Sequence, residues 1–556
     1  MIRVSGPACV SVYEALCPDV PLPKPRVAGV RTLYEPDLIG REQKSQGNDG
    51  GGKNILDAGA LVLYFPAPKT ATGEDVLEFH VHGGPAIVKA VLGAIARTNR
   101  AASDLEITGT IRYAEPGEFT RRAFMNNRLE LPQIEALGET LTADTEQQRR
   151  LAVRGASDAL SKRYEEWRYR LLYARGELEA LIDFAEDQHF DESAEELLFS
   201  VAAQVHVLQA QMGFHIQNAS KGELLRNGIR IALLGAPNAG KSSLLNRVVG
   251  KEAAIVSTEE GTTRDIVDVG VDLGGWFCKL GDMAGIRADG TGTGTVVIGA
   301  VEKEGIRRAR ARALESDVVV VVVALEDDPA RLSVEQEVID ATNDCIEAGK
   351  CILIAVNKCD RLPASEHNAH IPQNLAEQIH TLFPAVSKNR IFGISCQQAE
   401  SSPLDSQIKD PGYLQHFLRG LISTFEQIAS PSGIEGDEHG NYDLSYWEDS
   451  LGVTHRQSSN LERCKQHLDD FLVQAQPSSF ATDADGHELG YVDAVADMGG
   501  EVDIVTAAEN LRFAADALAK ITGKGESGDV EDVLGVVFEK YVLSCFFMLC
   551  VMKVND

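Results

Sequence analysis

This sequence has neither a disulfide framework nor a zinc framework. Its ten cysteines (Cys9, Cys17, Cys278, Cys345, Cys351, Cys359, Cys396, Cys464, Cys545 and Cys550) are scattered. No two stand as Cys-x-x-Cys, and no His pair completes a zinc spacing. The pattern reads as reduced thiols in a reducing compartment. Basic charge is also scarce: 53 Lys and Arg face 83 Asp and Glu, a net charge of −30. A general nucleic-acid coat would be basic, so any such contact has to be a local patch. No stretch is apolar for the length of a membrane span, and the run Tyr541 to Met552 is too short. No signal peptide precedes Ile2-Arg3-Val4-Ser5-Gly6, which already reads as domain interior. The expected reading is a shortened start from which a targeting segment is missing. No internal repeat is present.

What the chain does have is length and apolar content. Its 556 residues allow roughly three or four domains. With 44% hydrophobic and 24% charged residues, several cores can be buried. Residues 1–117 read as an α+β domain: Ala60 to Phe65 and Val76 to Val81 are strand-like, and Pro85 to Ala96 is helical. His80 and His82 share one side of a strand, and His82-Gly83-Gly84 marks its exit into a turn. Gln43 to Gly52 reads as a surface loop. Residues 118–224 are helical, with Pro132 in a first turn and an apolar series through Ile134, Leu137, Leu141, Leu160, Tyr164, Trp167, Leu171, Leu178 and Leu181. Residues 225–428 alternate strand and helix as α/β. Helical stripes return over 429–556, one on Leu461, Cys464, Leu468, Phe471 and Leu472, another on Val505, Ala508, Leu511, Ala515, Leu518 and Ile521. The α/β domain is therefore read as inserted into a helical one.

The α/β domain opens with its most specific feature. Ile229, Ile231, Leu233 and Leu234 form a buried strand, followed at once by Gly235-x-x-x-x-Gly240-Lys241-Ser242 and an apolar helix. Strand, Gly-rich loop and helix in that order form a P-loop. Backbone N–H groups wrap the phosphates, Lys241 reaches the β- and γ-phosphates, and the Ser242 hydroxyl binds Mg2+. The strand Cys351 to Val356 ends in Asn357-Lys358-Cys359-Asp360. A carboxylate at Asp360 accepts from both N1–H and the N2 amino group of guanine, a donor pair that adenine lacks. Asn357 would contact base and loop, and the Lys358 stem would cover the base. Ser395, in Ile394-Ser395-Cys396, supplies a second guanine-side loop. Thr263 in Gly261-Thr262-Thr263-Arg264-Asp265 would reach Mg2+ and the γ-phosphate. Asp282 and Gly285 form Asp-x-x-Gly after another strand. Val318 to Val323 reads as a central strand buried on both faces. Together these make a GTPase domain.

Its hydrolytic machinery departs from the Ras pattern. Ile286 stands where a water-orienting Gln would, and it cannot orient water. Asn238 inside the loop points to K+ in place of an arginine finger, with Ser257 and the backbone up to Gly261 completing the shell.

Three stretches outside this domain resemble the tRNA-modification GTPases of the MnmE/TrmE type: Arg3 to Gly6, Thr72 to Pro85, and Pro116 to Phe124 with Asn126 to Leu131 and Gln133 to Ala136. Pro237 to Asn246, Ala253 to Val256, Ala507 to Arg512, Ile521 to Gly523 and Asp532 to Gly535 match too, so the resemblance spans residues 3 to about 538. It implies a homodimer whose N-terminal domains bind a tetrahydrofolate derivative (the 5-formyl or 5,10-methylene form). With an FAD-dependent partner, the family modifies carbon 5 of the wobble uridine of certain tRNAs at the expense of GTP. By position, folate contacts fall on Arg3, Glu78 and Arg128, the last replacing the family's Lys. The K+ ligands fall on Asn238, Ser257, Glu259 and Thr262, and the catalytic glutamate on Glu302, which otherwise reads as an exposed acid near a helix start. GTP contacts cover Asn238, Ala239, Gly240, Lys241, Ser242, Ser243, Ser257, Thr258, Gly261, Thr262, Thr263, Asp282, Gly285, Asn357, Lys358, Asp360 and Ser395. Candidate tRNA contacts are Arg121, Arg122, Arg128, Arg149, Arg150, Arg154, Arg307, Arg308, Arg310 and Arg312. No membrane partner is implied. Insertions near 399–412 and 435–450 favour a mitochondrial member over one of the bacterial cytoplasm.

Some positions break the family pattern. Met283 replaces the Thr of Asp-Thr-Ala-Gly, and Asp289 to Gly299 is a Gly/Thr-rich insertion. The family's Cys-x-Gly-Lys ending is absent: Phe538 leads into Glu-Lys-Tyr-Val-Leu-Ser-Cys545 and an apolar tail, as an altered gene model would. The rival reading is a GTP switch in ribosome or RNA assembly. It leaves residues 72–136 without a role and calls for a second G domain or an RNA-binding domain. A third reading is a GTP-binding dimer that has lost modification.

Overall fold

The computed structural model describes residues 1–36, 54–101, 111–183, 194–249, 253–258, 269–281, 298–326, 331–362, 371–401, 410–430, 449–475 and 503–523. Two compact units emerge, one of residues 1–142, 155–209 and 459–556, the other of 143–154 and 210–458.

The first unit begins with β1 (Ile2–Ser5), α1 (Cys9–Leu16), β2 (Gly29–Tyr34), β3 (Ile55–Phe65), β4 (Val76–His80) and α2 (Pro85–Ala101). The strands form an antiparallel sheet in the order β1-β4-β3-β2. Alternation aims Ile2, Val4, Ala60, Val62, Leu77 and Phe79 at one core. There Val12, Tyr13 and Leu16 of α1 and Val91, Ala94 and Ile95 of α2 close over them. Helices α3 (Glu118–Met125), α4 (Leu131–Thr142), α6 (Asp158–Asp183) and the first part of α7 (Ala194–Asn227) follow in this unit, while α5 (Glu146–Gly155) and the rest of α7 fall in the other.

The buried face of α4 runs through Leu131, Ile134, Glu135 and Gly138. Leu137 and Leu141 lie at its edge and are exposed, contrary to the expected stripe. By length and composition Leu197–Asn227 reaches what a membrane span needs, at a hydropathy of 1.2, which corrects the expectation that no stretch does. Gln and His residues dilute its apolar run in the sequence, and Leu198, Val201, Ala202, Val205, Leu208 and Met212 are buried in the protein.

The second unit carries β5 (Ile229–Leu234), α8 (Lys241–Arg247), β6 (Ala254–Thr258), β7 (Val269–Leu273), β8 (Trp276–Leu280), α9 (Ile298–Glu315), β9 (Val318–Leu325), β10 (Leu332–Ser333), α10 (Gln336–Glu347), β11 (Cys351–Asn357), α11 (Gln373–Leu382), β12 (Ile391–Gly393), α12 (Cys396–Ser401) and α13 (Leu414–Ala429). Its sheet runs β12-β11-β9-β5-β8-β7-β6, with β10 paired to β9. The strands from β12 to β8 are parallel, and β7 and β6 are antiparallel. All of β9 is buried. Val318, Val320 and Val322 enter one core while Val319, Val321 and Val323 enter the other, so both faces are covered. The chain fills one side of β5 with β8 and then crosses to the other with β9. A ligand crevice therefore opens beyond the C-terminal end of β5.

Helices α14 (His455–Ala475) and α15 (Ile504–Thr522) end the described chain. The α15 N-cap, Asp503, accepts from the Thr506 amide at 3.0 Å. In the first unit α15 runs along α6, where Thr522 Oγ1 donates to Glu165 Oε1 at 2.8 Å. Leu461, Cys464, Leu468 and Phe471 are buried as the periodicity predicts, but Val505 in the first turn of α15 is exposed. The eight described cysteines are all free thiols.

Candidate functional site

The Gly235–Gly240 turn fills the crevice beyond β5. A Cβ at Gly235, whose φ is 154°, would run into the carbonyl oxygen of Val322 on β9. At Gly240, with φ of 100°, it would strike the Asn357 side-chain amide. Both positions demand glycine, which lets the turn lie directly against β9 and the Asn357 side chain, the close backbone approach that a phosphate-binding loop uses. Asn238 takes φ of 67°, a left-handed conformation that Asn tolerates, and lies exposed at the top of the loop. Lys241 folds back, its Nζ donating to the carbonyls of Gly235 at 2.7 Å and Ala236 at 2.9 Å. Ala239 is buried under the loop, while the Ser242 and Ser243 side chains are exposed at the start of α8. A hydroxyl at Ser242 is a donor type suited to Mg2+.

The guanine-side residues come together beside it. Asn357 is buried at the end of β11. Its Nδ2 donates to Ala239 O at 2.9 Å, and its Oδ1 accepts from the Cys396 amide at 3.3 Å. It thus ties loop to loop, the second half of its expected role. Lys358, at φ of 66°, turns the chain into the short helix Cys359–Arg361, which holds Asp360 half-buried. Ser395 is fully buried, and its Oγ donates to Asp360 Oδ1 at 2.5 Å while accepting from the Gln398 amide at 3.1 Å. Burial pushes the neighbouring Cys359 thiol up to about 12 and the Cys396 thiol up to about 11, so both stay protonated.

Gly412 was not read as a site residue. Its carbonyl accepts from the Ser395 amide at 2.9 Å, and a Cβ there, at φ of 76°, would meet Ser395 O. The turn dipeptide Pro411-Gly412 was its only sequence signal.

Glu259, Gly261, Thr262, Thr263, Asp282, Gly285 and Ile286 lie outside the described residues. Ser257 and Thr258 end β6, paired with Gly270 and Val269. Glu302 lies on α9, where the backbone alone is described.

In the first unit Arg3 and Glu78 are cross-strand partners on β1 and β4. Arg3 Nε and Nη2 donate to Glu78 Oε1 at 2.8 and 2.6 Å. Arg128 is held elsewhere, its Nε donating to Thr70 O at 3.0 Å. The pair is partly exposed, so a ligand with both a donor edge and an anionic group would find complementary partners there. Arg122 is not a surface residue, which corrects its place among the candidate tRNA contacts. It is buried at 8% exposure and donates to Glu118 at 2.8 Å, Glu74 at 2.7 Å and Ser5 O at 3.2 Å. In the other unit Arg149 and Arg150 both clasp Glu146 and hold its carboxyl down to about 2. Arg310 pairs with Asp344.

The model described as "GTP-binding protein TrmE N-terminus" matches residues 1–128, and the "MnmE helical domain" model matches residues 131–541. The mitochondrial tRNA modification GTPase mss1 of Schizosaccharomyces pombe is 32% identical over 97% of this chain and 91% of its own length. Its Saccharomyces cerevisiae counterpart MSS1 is 31% identical over 98% of this chain and 90% of its own. The tRNA modification GTPase MnmE of Brucella suis is 41% identical over 61% of this chain and 68% of its own. Family models at both ends, and relatives aligned across nearly the whole length, show that the chain belongs to the MnmE family of tRNA modification GTPases.

Proposed function

We propose that this protein is a K+-dependent GTPase which, with an FAD-dependent partner, modifies carbon 5 of the wobble uridine of certain tRNAs using a tetrahydrofolate one-carbon unit. The observation that carries the reading is the Asp360–Ser395 clasp beside the phosphate cradle, in a chain whose first 128 residues match the TrmE N-terminal model. The proposed layout is a folate-binding and dimerisation domain over 1–117 and a G domain over 225–428, set in a helical domain of residues 118–224 and 429–556. The names of the yeast relatives support action in the mitochondrion.

Asp360 accepts the guanine N1–H and N2 donors, oriented by Ser395, while Asn357 fixes the loop and Lys358 covers the base. Lys241 exchanges the Gly235 and Ala236 carbonyls for the β- and γ-phosphates. Ser242 and Thr263, with Asp282 nearby, hold Mg2+, which neutralises phosphate charge. Asn238, Ser257, Glu259 and Thr262 hold K+, which supplies the positive charge of an arginine finger. Glu302 orients the attacking water once two G domains meet. Arg3, Glu78 and Arg128 hold the folate. The test is GTP turnover by the full chain in K+ against Na+ at equal ionic strength. Turnover rises roughly a hundredfold in K+, the low end of what one charge-stabilising group contributes; equal rates remove the K+ assignment.

A further inference from the structure

We infer that a cavity on the outer edge of the α/β unit, between β12 and α13, binds the phosphodiester backbone of RNA. The inference rests on the proposed tRNA reaction for the identity of that RNA. The cavity measures about 320 Å3 and lies at the free edge of the sheet, where β12 is the terminal strand. Three of its lining residues, Arg390, Arg419 and His416, are basic, and among the described residues no carboxylate lines it. That composition stands out in a chain of net charge −30, and the nearest carboxylate the hydrogen bonds show, Asp410, is occupied by the backbone amides of Gln415 and His416. A polyanion repelled by the whole surface needs such a local reversal of charge to dock.

The geometry is that of a small pocket with a fixed cation at its mouth. Arg390 Nη2 donates to Gln427 Oε1 at 3.2 Å, and Arg419 Nε donates to Gln415 O at 3.3 Å. Each bond uses one of the five N–H donors of a guanidinium, and the planar fork suits phosphate oxygens. The Phe392 ring is buried beneath the cavity, edge-on to His416 at 5.6 Å and to Phe417 at 5.8 Å. Gly420 has no side chain, so α13 sits directly against that ring. Asn389 and Ser423 add an amide and a hydroxyl of the kind that ribose hydroxyls bond. Two guanidiniums with donors to spare, beside an amide and a hydroxyl that suit ribose, favour an RNA backbone over an acidic peptide.

The experiment is a binding titration of the full chain with an unmodified tRNA transcript at several salt concentrations. It compares the natural chain with the Arg390→Ala/Arg419→Ala double variant and with the corresponding double Lys variant. GTP turnover is measured on each. The Ala variant should lose roughly tenfold or more in tRNA affinity, and its log K against log salt slope should fall by about two, one unit per lost phosphate contact. The Lys variant keeps most of both, and basal GTP turnover is unchanged in all. An unchanged slope in the Ala variant overturns the inference while leaving the proposed function standing. Equal competition by polyglutamate and by a short RNA overturns the RNA assignment. A natural chain that hydrolyses GTP in K+ but binds no tRNA, alone or with its partner, overturns both.

Discussion

Asp360 carries the base assignment, and its chemistry can be inverted by one atom. In the proposed site the carboxylate would accept two hydrogen bonds from guanine, and Ser395 Oγ holds its Oδ1 in place at 2.5 Å. Asp360→Asn replaces one acceptor with a donor. It should cost GTP roughly a hundredfold or more in affinity, since a hydrogen bond to a charged group is worth about 1.5–3 kcal/mol. The same amide matches xanthine, whose N2 position is an acceptor, so binding of xanthosine triphosphate should rise. A nucleotide titration with both bases checks this, and unchanged GTP affinity would remove Asp360 from the base site. Asp360 was legible in the sequence because Asn-Lys-x-Asp follows a buried strand and its chemistry is local. Gly412 was not, because its role depends on the Ser395 carbonyl, which folding brings next to it from outside its own turn.

Among the elements, α3 shows what periodicity does not reveal. Its docking rests on a buried polar network in which Arg122 bridges Glu118, Glu74 and the Ser5 carbonyl, while Ser5 and Thr72 share a hydrogen bond at 2.6 Å. In sequence these read as ordinary charged and hydroxyl residues far apart. The strands β9 and β11 were legible because buried parallel strands are apolar on both faces. Burial works to raise the Glu118 carboxyl, but the Glu115 amide and the Arg122 and Arg112 guanidiniums outweigh it and hold the carboxyl low. A depressed folded-state value means stability that is present above the ordinary carboxylate range and lost as pH falls through the folded value. The protection of the α3 amides, their exchange relative to the intrinsic rate at each pH, should therefore fall on acidification from just below pH 4.5. Arg122→Met takes one guanidinium from Glu118, which keeps Arg112 and the Glu115 amide, and removes the ion pair of the partly exposed Glu74, so it should destabilise this unit by about 1–3 kcal/mol in urea unfolding. A loss under 1 kcal/mol would mean that the network is solvated.

At the scale of the whole molecule, binding and modification are separable. The phosphate cradle and guanine clasp lie in one unit, the Arg3–Glu78 pair in the other. The described residues of the proposed nucleotide site all come from positions 235–412, and residues after Phe538 lie outside the described ones. The resemblance to the family implies that modification needs the cysteine of Cys-x-Gly-Lys, and here neither Cys545 nor Cys550 is followed by Gly-Lys. The chain with residues 539–556 as they stand should hydrolyse GTP in K+ at a rate within about twofold of one in which they are replaced by Cys-x-Gly-Lys, because no catalytic group changes. Wobble-uridine modification, measured by mass spectrometry of tRNA incubated with the FAD-dependent partner, should appear only in the replaced form, since a missing thiolate nucleophile is not supplied by binding energy elsewhere. Burial pushes all eight described thiols up, Cys17 and Cys359 to about 12 and Cys396 to about 11, which disfavours the thiolate in each, and of the eight Cys351 alone is partly exposed. Modification by the chain as it stands would assign that chemistry to Cys545 or Cys550. A Cys545→Ser variant and a Cys550→Ser variant would then show which.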